Sequence, residues 1–320
     1  MCTIENNFKT IKMKLLNLTD LDKSDIKYEI SRFPDGQQQV KILGETSVSY
    51  KPVISYGTFL KGVQIKARLN NFKDLEKIIC ATKSLRNLGV KDIHLYTPYF
   101  LGSRSDRQFE KGSNNYLKDV ICPIINSLNF NSVTVLDPHS DVLEACLNNF
   151  NKVDNVNVVN FTLDNIVKET LNLNNSILIS PDAGANKKLF KIADHFGFKD
   201  IITCSKSRDV DGKLSKVNVP ITGDQHNMIH KGPYKDFIII DDICDGGATF
   251  LNIAKEIKGY FYENGKTKCK IYLIVTHGIF SKGFKELNKY FDGIYCTNSY
   301  RDIASDEYEE KTNVKQLKVI

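Results

Sequence analysis

Short β-branched or aromatic runs recur along the chain, at Ile93 to Tyr96, Val133 to Leu136, Ile177 to Ile179, Ile201 to Cys204, Phe237 to Ile240 and Ile271 to Val275. Each is too short for a helix and is bounded by polar or turn residues, so each predicts a buried strand. Between them the apolar positions change to a helical spacing. From Asn71 to Leu88, residues Phe72, Leu75, Ile78, Ile79, Thr82 and Leu85 fall on one face, and Gly89 supplies a left-handed stop. Leu117, Val120, Ile121, Ile124, Ile125 and Leu128 make a second stripe. Leu189, Ile192, Ala193 and Phe196 make a third, ending at Gly197, and Phe250, Ile253, Ala254 and Ile257 a fourth, ending at Gly259.

Strands alternating with helices of this length are β-α-β units, which build largely parallel sheets with helices on both faces. The asparagine-rich stretch 148–160 reads as loop plus a short strand. It lies near the middle of a 320-residue chain, long enough for two domains at about 150 residues each. The expected fold is therefore α/β, with domains 1–155 and 156–320, each a largely parallel sheet flanked by helices.

Composition narrows the class. With 41% hydrophobic and 26% charged residues the chain can bury ordinary cores, which argues against a disordered or coiled-coil protein. The longest apolar runs fall far short of the roughly 18 residues that a spanning helix needs, so no membrane association is expected. The opening MCTIENNFKTIKMKLL lacks the apolar stretch and cleavage site of a secretory leader, and a cytoplasmic location is expected. Eight cysteines without a C-x-x-C pair read as reduced, mostly buried thiols, with no structural zinc. The net charge of +6 is scattered in short clusters, so no nucleic-acid partner is expected; a phosphorylated small molecule suits the mild excess equally well.

The sharpest chemical signal is FIIIDDICDGGATF, residues 237–250. An apolar strand runs into Asp241 and Asp242, then a loop with Asp245, Gly246, Gly247 and Ala248, then Thr249 at a helix start. Ligands of open α/β sheets bind at the carboxyl ends of strands, where this loop must sit. The glycines let backbone N–H groups approach an anion, the helix N-terminus favours a phosphate, and the acidic pair would face sugar hydroxyls. An ordinary strand-to-helix turn capped by Asp is the competing reading. Two weaker patterns are set aside: GYFYENGKT (259–267) has five residues between its glycines where a P-loop has four, and His226 and His230 have helical spacing but no acidic partner.

The 237–250 segment resembles the ribose-phosphate loop shared by type I phosphoribosyltransferases and ribose-phosphate pyrophosphokinases, the phosphoribosyl pyrophosphate synthetases. Other segments resemble the pyrophosphokinases in family order: PYFLGSRSDR (98–107), DPHS (137–140), SPDAGANKK (180–188), CSKSRD (204–209) and THGIFS (276–281). This resemblance implies two phosphoribosyltransferase-like domains, with ATP near their junction and the ribose phosphate on the C-terminal one. It implies Mg²⁺ held by His139 and Asp182, with His139 also at the ATP. It makes Lys206 and Arg208, on a polar stretch that looks like a mobile flap, the catalytic cations. Arg104, Ser105 and Asp106, together with Phe33, Asp35, Gly36 and Gln37 of FPDGQ from a neighbouring subunit, would contact ATP, hence a homo-oligomer built from dimers. Asp182, Asp241, Asp242, Asp245, Gly246, Gly247, Ala248 and Thr249 would hold the ribose phosphate. Departures from the family pattern are Gln37 for Glu, Ser105 for Gln, and DGGAT where DTGGT is usual.

The implied reaction transfers the β,γ-diphosphate of ATP to the anomeric hydroxyl of ribose 5-phosphate, giving AMP and a ribose 1-diphosphate. ADP-ribose, as used in NAD salvage, is the alternative acceptor, because its terminal ribose offers the same hydroxyl. A non-catalytic regulatory relative is the alternative of another class. It should have lost the metal position or the flap cations, and both are present.

Overall fold

The computed structural model describes residues 13–43, 62–167, 173–208, 214–221, 223, 225, 229, 236–263, 269–304 and 313–320. The chain divides into two compact units, Met1–Val153 with Ile320, and Asp154–Val319.

The first unit is built on strands β1 (Lys14–Asn17), β4 (Val63–Lys66), β5 (Ile93–Tyr96), β6 (Ser132–Leu136) and β7 (Phe150–Val153), paired in the order β1-β4-β5-β6-β7. Every pairing is parallel. Strands β2 (Tyr28–Arg32) and β3 (Gln38–Ile42) form a separate antiparallel hairpin. Helix α1 (Phe72–Asn87) starts where Asn71 Oδ1 accepts the Asp74 N–H at 3.1 Å, and Gly89 follows it at φ +83°. Leu75, Ile78, Ala81, Thr82 and Leu85 are its buried face. Phe72, expected on that face, is 52% exposed. Helical side chains lean towards the N-terminus, so a residue in the first turn overhangs the packed length.

The second stripe forms a π-turn, Leu117–Ile121, followed by α2 (Cys122–Ser127). Pro123 has no N–H to give the preceding turn, which accounts for the irregular ladder. Helix α3 spans Val142–Cys146. The stretch expected to be loop and short strand holds β7 but then becomes α4 (Val156–Val167), because Val158, Val159 and Leu163 are buried on one side.

The second unit pairs β15 (Val314–Leu317), β14 (Gly293–Thr297), β13 (Lys270–Gly278), β12 (Asp236–Cys244), β8 (Ser176–Ser180) and β9 (Ile201–Thr203) in that order, all in parallel. From β8 the chain first goes outward to β9, then returns to β12 on the other side and proceeds to β15. The reversal between β8 and β12 is a topological switch point, where the crevice of an open α/β sheet lies. Phe237, Ile238, Ile239 and Ile240 are at most 1% exposed, so both faces of this sheet are covered.

Strand β12 is longer than the apolar run predicts. It continues through Asp241 and Asp242 to Cys244 because β13 also extends, pairing Asp241 with Val275 and Cys244 with Gly278. Helix α5 (Asn186–Phe196) ends at Gly197, φ +75°, as its pattern predicts. Helix α6 (Ala248–Glu263) runs past Gly259, its expected end. The Phe261 ring packs edge-on to Phe237 at 5.6 Å, and that contact outweighs the roughly 1 kcal/mol cost of a helical glycine. Strands β10 (Ser205–Arg208) and β11 (Leu214–Asn218) make an antiparallel hairpin where the flap was expected.

The seven described cysteines are free thiols, and Cys122, Cys204, Cys244 and Cys296 are buried. Burial pushes the Cys204 thiol up to about 12, which suits an inert core residue. No described helix is long and apolar enough to cross a membrane.

Candidate active site

Register brings the acidic residues of the second unit to one level. Strand β8 pairs Ile179 with Ile239 of β12 in parallel, so Asp182, just after β8, and Asp241 and Asp242, on the extension of β12, lie at the same carboxyl edge of the sheet, where the Asp182 charge reaches Asp241. On the other side of β8, Ser180 pairs with Thr203, and the Cys204 N–H extends the ladder to the Ser180 carbonyl at 2.8 Å. Lys206 is thereby carried alongside Asp182, and its Nζ lies 2.7 Å from Asp182 Oδ2.

Asp182 also caps the helical turn that follows, accepting the Ala185 N–H on Oδ1 at 3.2 Å. Burial pushes its carboxyl up, but the Lys206 ammonium and the Ala185 and Gly184 N–H groups outweigh burial and hold it below the usual carboxylate range. Asp241 has the opposite balance. Burial, reinforced by the neighbouring Asp242 charge and by Asp182, raises it well above the usual range. Asp242 is 5% exposed and has a cation 3.5 Å away in Lys188, at the start of α5. Lys188 is a site residue that the sequence reading passed over, although it stands within SPDAGANKK.

The loop after β12 leads directly into α6. Gly247 takes φ +77°, and the Leu251 N–H closes the first helical turn on its carbonyl at 2.9 Å. The first N–H groups of a helix have no partner within it, so those of Ala248, Thr249 and Phe250 are the donors at this helix N-terminus, an arrangement that suits an anion. Asp245 is held by Ser281 of the THGIFS segment, whose Oγ donates to Asp245 Oδ1 at 2.7 Å. Of the expected flap, Lys206 is half-buried and Arg208 ends β10; residues 209–213 lie outside the described residues, as do His226, His230 and 264–267 of GYFYENGKT.

The first unit carries the residues matched to ATP. Phe33 to Gln37 form the tip of the β2–β3 hairpin, with Gly36 at φ +96° and its N–H donating to the Phe33 carbonyl at 2.9 Å. Phe33 is 49% exposed there. Arg104, Ser105 and Asp106 follow β5 in a turn closed by Ser105 N–H to Gly102 carbonyl at 2.8 Å, and the Asp106 carbonyl accepts from Asn115 Nδ2 at 2.7 Å. His139 is exposed in the loop after β6, two residues beyond the buried Asp137. The structure thus brings Asp182, Lys206, Asp241 and Asp242 together at one sheet edge, while His139 and the ATP-matched residues belong to the other unit.

No family model matches the chain. It is similar to the ribose-phosphate pyrophosphokinase of Mycoplasmopsis pulmonis, 26% identical over 282 residues covering 87% of this chain and 78% of that protein. That of Xylella fastidiosa is 27% identical over 292 residues, covering 91% and 81%. Among solved structures, the phosphoribosylpyrophosphate synthetase of Mycobacterium smegmatis superposes with a TM-score of 0.71 over 96% of this chain and 95% of its own, at 15% identity, and so shares the fold. The chain is thus similar over most of its length, at low identity, to ribose-phosphate pyrophosphokinases, and it shares the fold of a phosphoribosylpyrophosphate synthetase.

Proposed function

We propose that the chain is an ATP-dependent diphosphotransferase that makes a ribose 1-diphosphate from ribose 5-phosphate. The observation that carries this reading is the juxtaposition of Lys206, Asp182, Asp241 and Asp242 at the switch point that opens into the 245–249 loop. The loop receives the sugar 5-phosphate, the acidic pair faces the ribose hydroxyls, and the anomeric oxygen is presented towards Lys206. That oxygen attacks the β-phosphorus of ATP as the bond from the β-phosphorus to the bridging oxygen breaks. AMP leaves with the bridging oxygen, and the hydroxyl proton is released. Charge accumulates on the transferred group, so Lys206 and Arg208 act by positioning and charge stabilisation.

Magnesium takes hard oxygen donors, one or two carboxylates with substrate phosphates completing the shell. The donor chemistry fits it: Asp182, Asp241 and Asp242 supply carboxylate oxygens at the carboxyl edge of the sheet, although the described residues form no ready-made cluster of three or more metal ligands. Asp182 and His139 would hold the ion, which when bound neutralises phosphate charge. In the same reading the exposed Phe33 at a hairpin tip completes the ATP site of a second subunit in a homo-oligomer, with Asp35 and Gln37 beside it and Arg104, Ser105 and Asp106 on the receiving side.

The test is incubation with ATP, Mg²⁺ and each acceptor separately, following AMP release and product mass. AMP with ribose 5-phosphate, lost on chelation, is the expected result. AMP with ADP-ribose alone would replace the acceptor, and none with either would make the chain a non-catalytic relative.

A further inference from the structure

The anion loop has a neighbour that lies outside the residues matched to the family. Ser281 N–H donates to the Asp245 carbonyl at 3.2 Å, in addition to the hydroxyl bond, so the segment after β13 is fastened to the first residue of the loop. A tight turn follows. The Gly283 N–H closes on the Phe280 carbonyl at 2.9 Å, with Phe280 at φ +49° and Gly283 at φ +66°. Lys282 stands between the fastened serine and the turn glycine, so its backbone is fixed from both sides.

The Lys282 stem lies over Gly246. A Cβ built on that glycine would stand 3.4 Å from Cδ and Cε of Lys282 and 3.6 Å from its Cγ. The ammonium is one bond of about 1.5 Å beyond Cε, which puts it within reach of the loop. Among the described residues Lys282 takes part in no ion pair, so its charge is available to a ligand.

We infer that Lys282 is an acceptor-positioning residue whose ammonium, laid across Gly246, contacts the terminal phosphate of the sugar and favours a phosphate monoester. This rests on the reading of the 245–249 loop given above. Backbone N–H groups are neutral donors and separate a monoester dianion from a diester monoanion weakly. A full positive charge at the rim separates them by charge. Lys282 thereby sets the acceptor class as a sugar monophosphate over one whose phosphate continues as a diester.

The test compares the full chain with its K282A and K282R variants, by AMP release at saturating ATP and by calorimetric binding of ribose 5-phosphate. In K282A, KM and Kd for ribose 5-phosphate rise about tenfold, the scale of one charge-assisted contact at an exposed rim. KM for ATP stays within about twofold, the deficit shrinks in high salt, and K282R recovers most of it. Unchanged acceptor KM and Kd in K282A, with the wild type turning over ribose 5-phosphate, overturn the role of Lys282 and leave the proposed activity standing. Equal losses for acceptor and ATP with a lowered melting point overturn it as well, because they indicate a merely structural lysine. A wild-type chain that neither binds nor turns over ribose 5-phosphate overturns the acceptor reading itself, and the role of Lys282 with it.

Discussion

Lys206 on β10 donates to Asp182 after β8 at 2.7 Å, so the cation of the expected flap and a candidate metal-site carboxylate hold each other. The two are 24 residues apart in sequence and meet because β9 lies beside β8. Their side chains are 20% and 43% exposed, so the pair is partly solvated and its net worth to folding is below about 1 kcal/mol. Under the proposed function its value lies in preorganisation, because the ammonium is held at the sheet edge assigned to the phosphates.

Lys206→Ala therefore lowers kcat by more than about tenfold while the melting temperature moves little. Turnover is measured by AMP release and stability by thermal melting. Full turnover with unaltered melting would remove Lys206 from the reaction.

Asp241 gives a prediction in pH. Its folded-state carboxyl is raised by burial and by the Asp242 charge, so its contribution to stability is fully present below the ordinary carboxylate value. The contribution is lost as pH rises through the folded value. Asp241→Asn, which cannot ionise, is accordingly more stable than wild type at neutral pH and loses that advantage in acid, while its acceptor KM rises. Denaturant unfolding of both proteins across the acid-to-neutral range checks this. An advantage independent of pH would assign the effect to packing.

Gly247 sits at φ +77°, and an added Cβ would stand 3.1 Å from Leu287 Cδ2. Gly247→Ala costs about 1–2 kcal/mol from the left-handed backbone alone and tilts the N–H groups of the loop. A lower melting point together with a higher KM for ribose 5-phosphate is the expected outcome. Wild-type kinetics would show that the loop geometry does not serve the acceptor.

Ile239 is fully buried in β12 between β8 and β13. Ile239→Ala removes about 2–5 kcal/mol of stability, and the folded fraction keeps its KM values. Chemical denaturation followed by kinetics below the transition separates the two effects.

Several features needed only local chemistry and were legible in the chain itself. Runs such as Ile93 to Tyr96 become strands because they can bury both faces, and the stops at Gly89 and Gly197 follow from glycine's freedom at positive φ. The ordered motifs located the loop after Cys244 and the lysine at 206. Other features depended on neighbours distant in sequence. Nothing near Asp241 indicates that β12 continues through it; the length of β13 decides that. Gly259 marks a stop that α6 ignores because Phe261 finds Phe237. The pairs Lys206 with Asp182, Lys188 with Asp242 and Ser281 with Asp245 exist only once the strand order 9-8-12-13 sets their parent loops side by side. Residue type and spacing thus determined which elements form and which chemistry is present. Sheet register alone decided which charges meet, because hydrogen-bonded neighbours bring together groups that the chain keeps tens of residues apart.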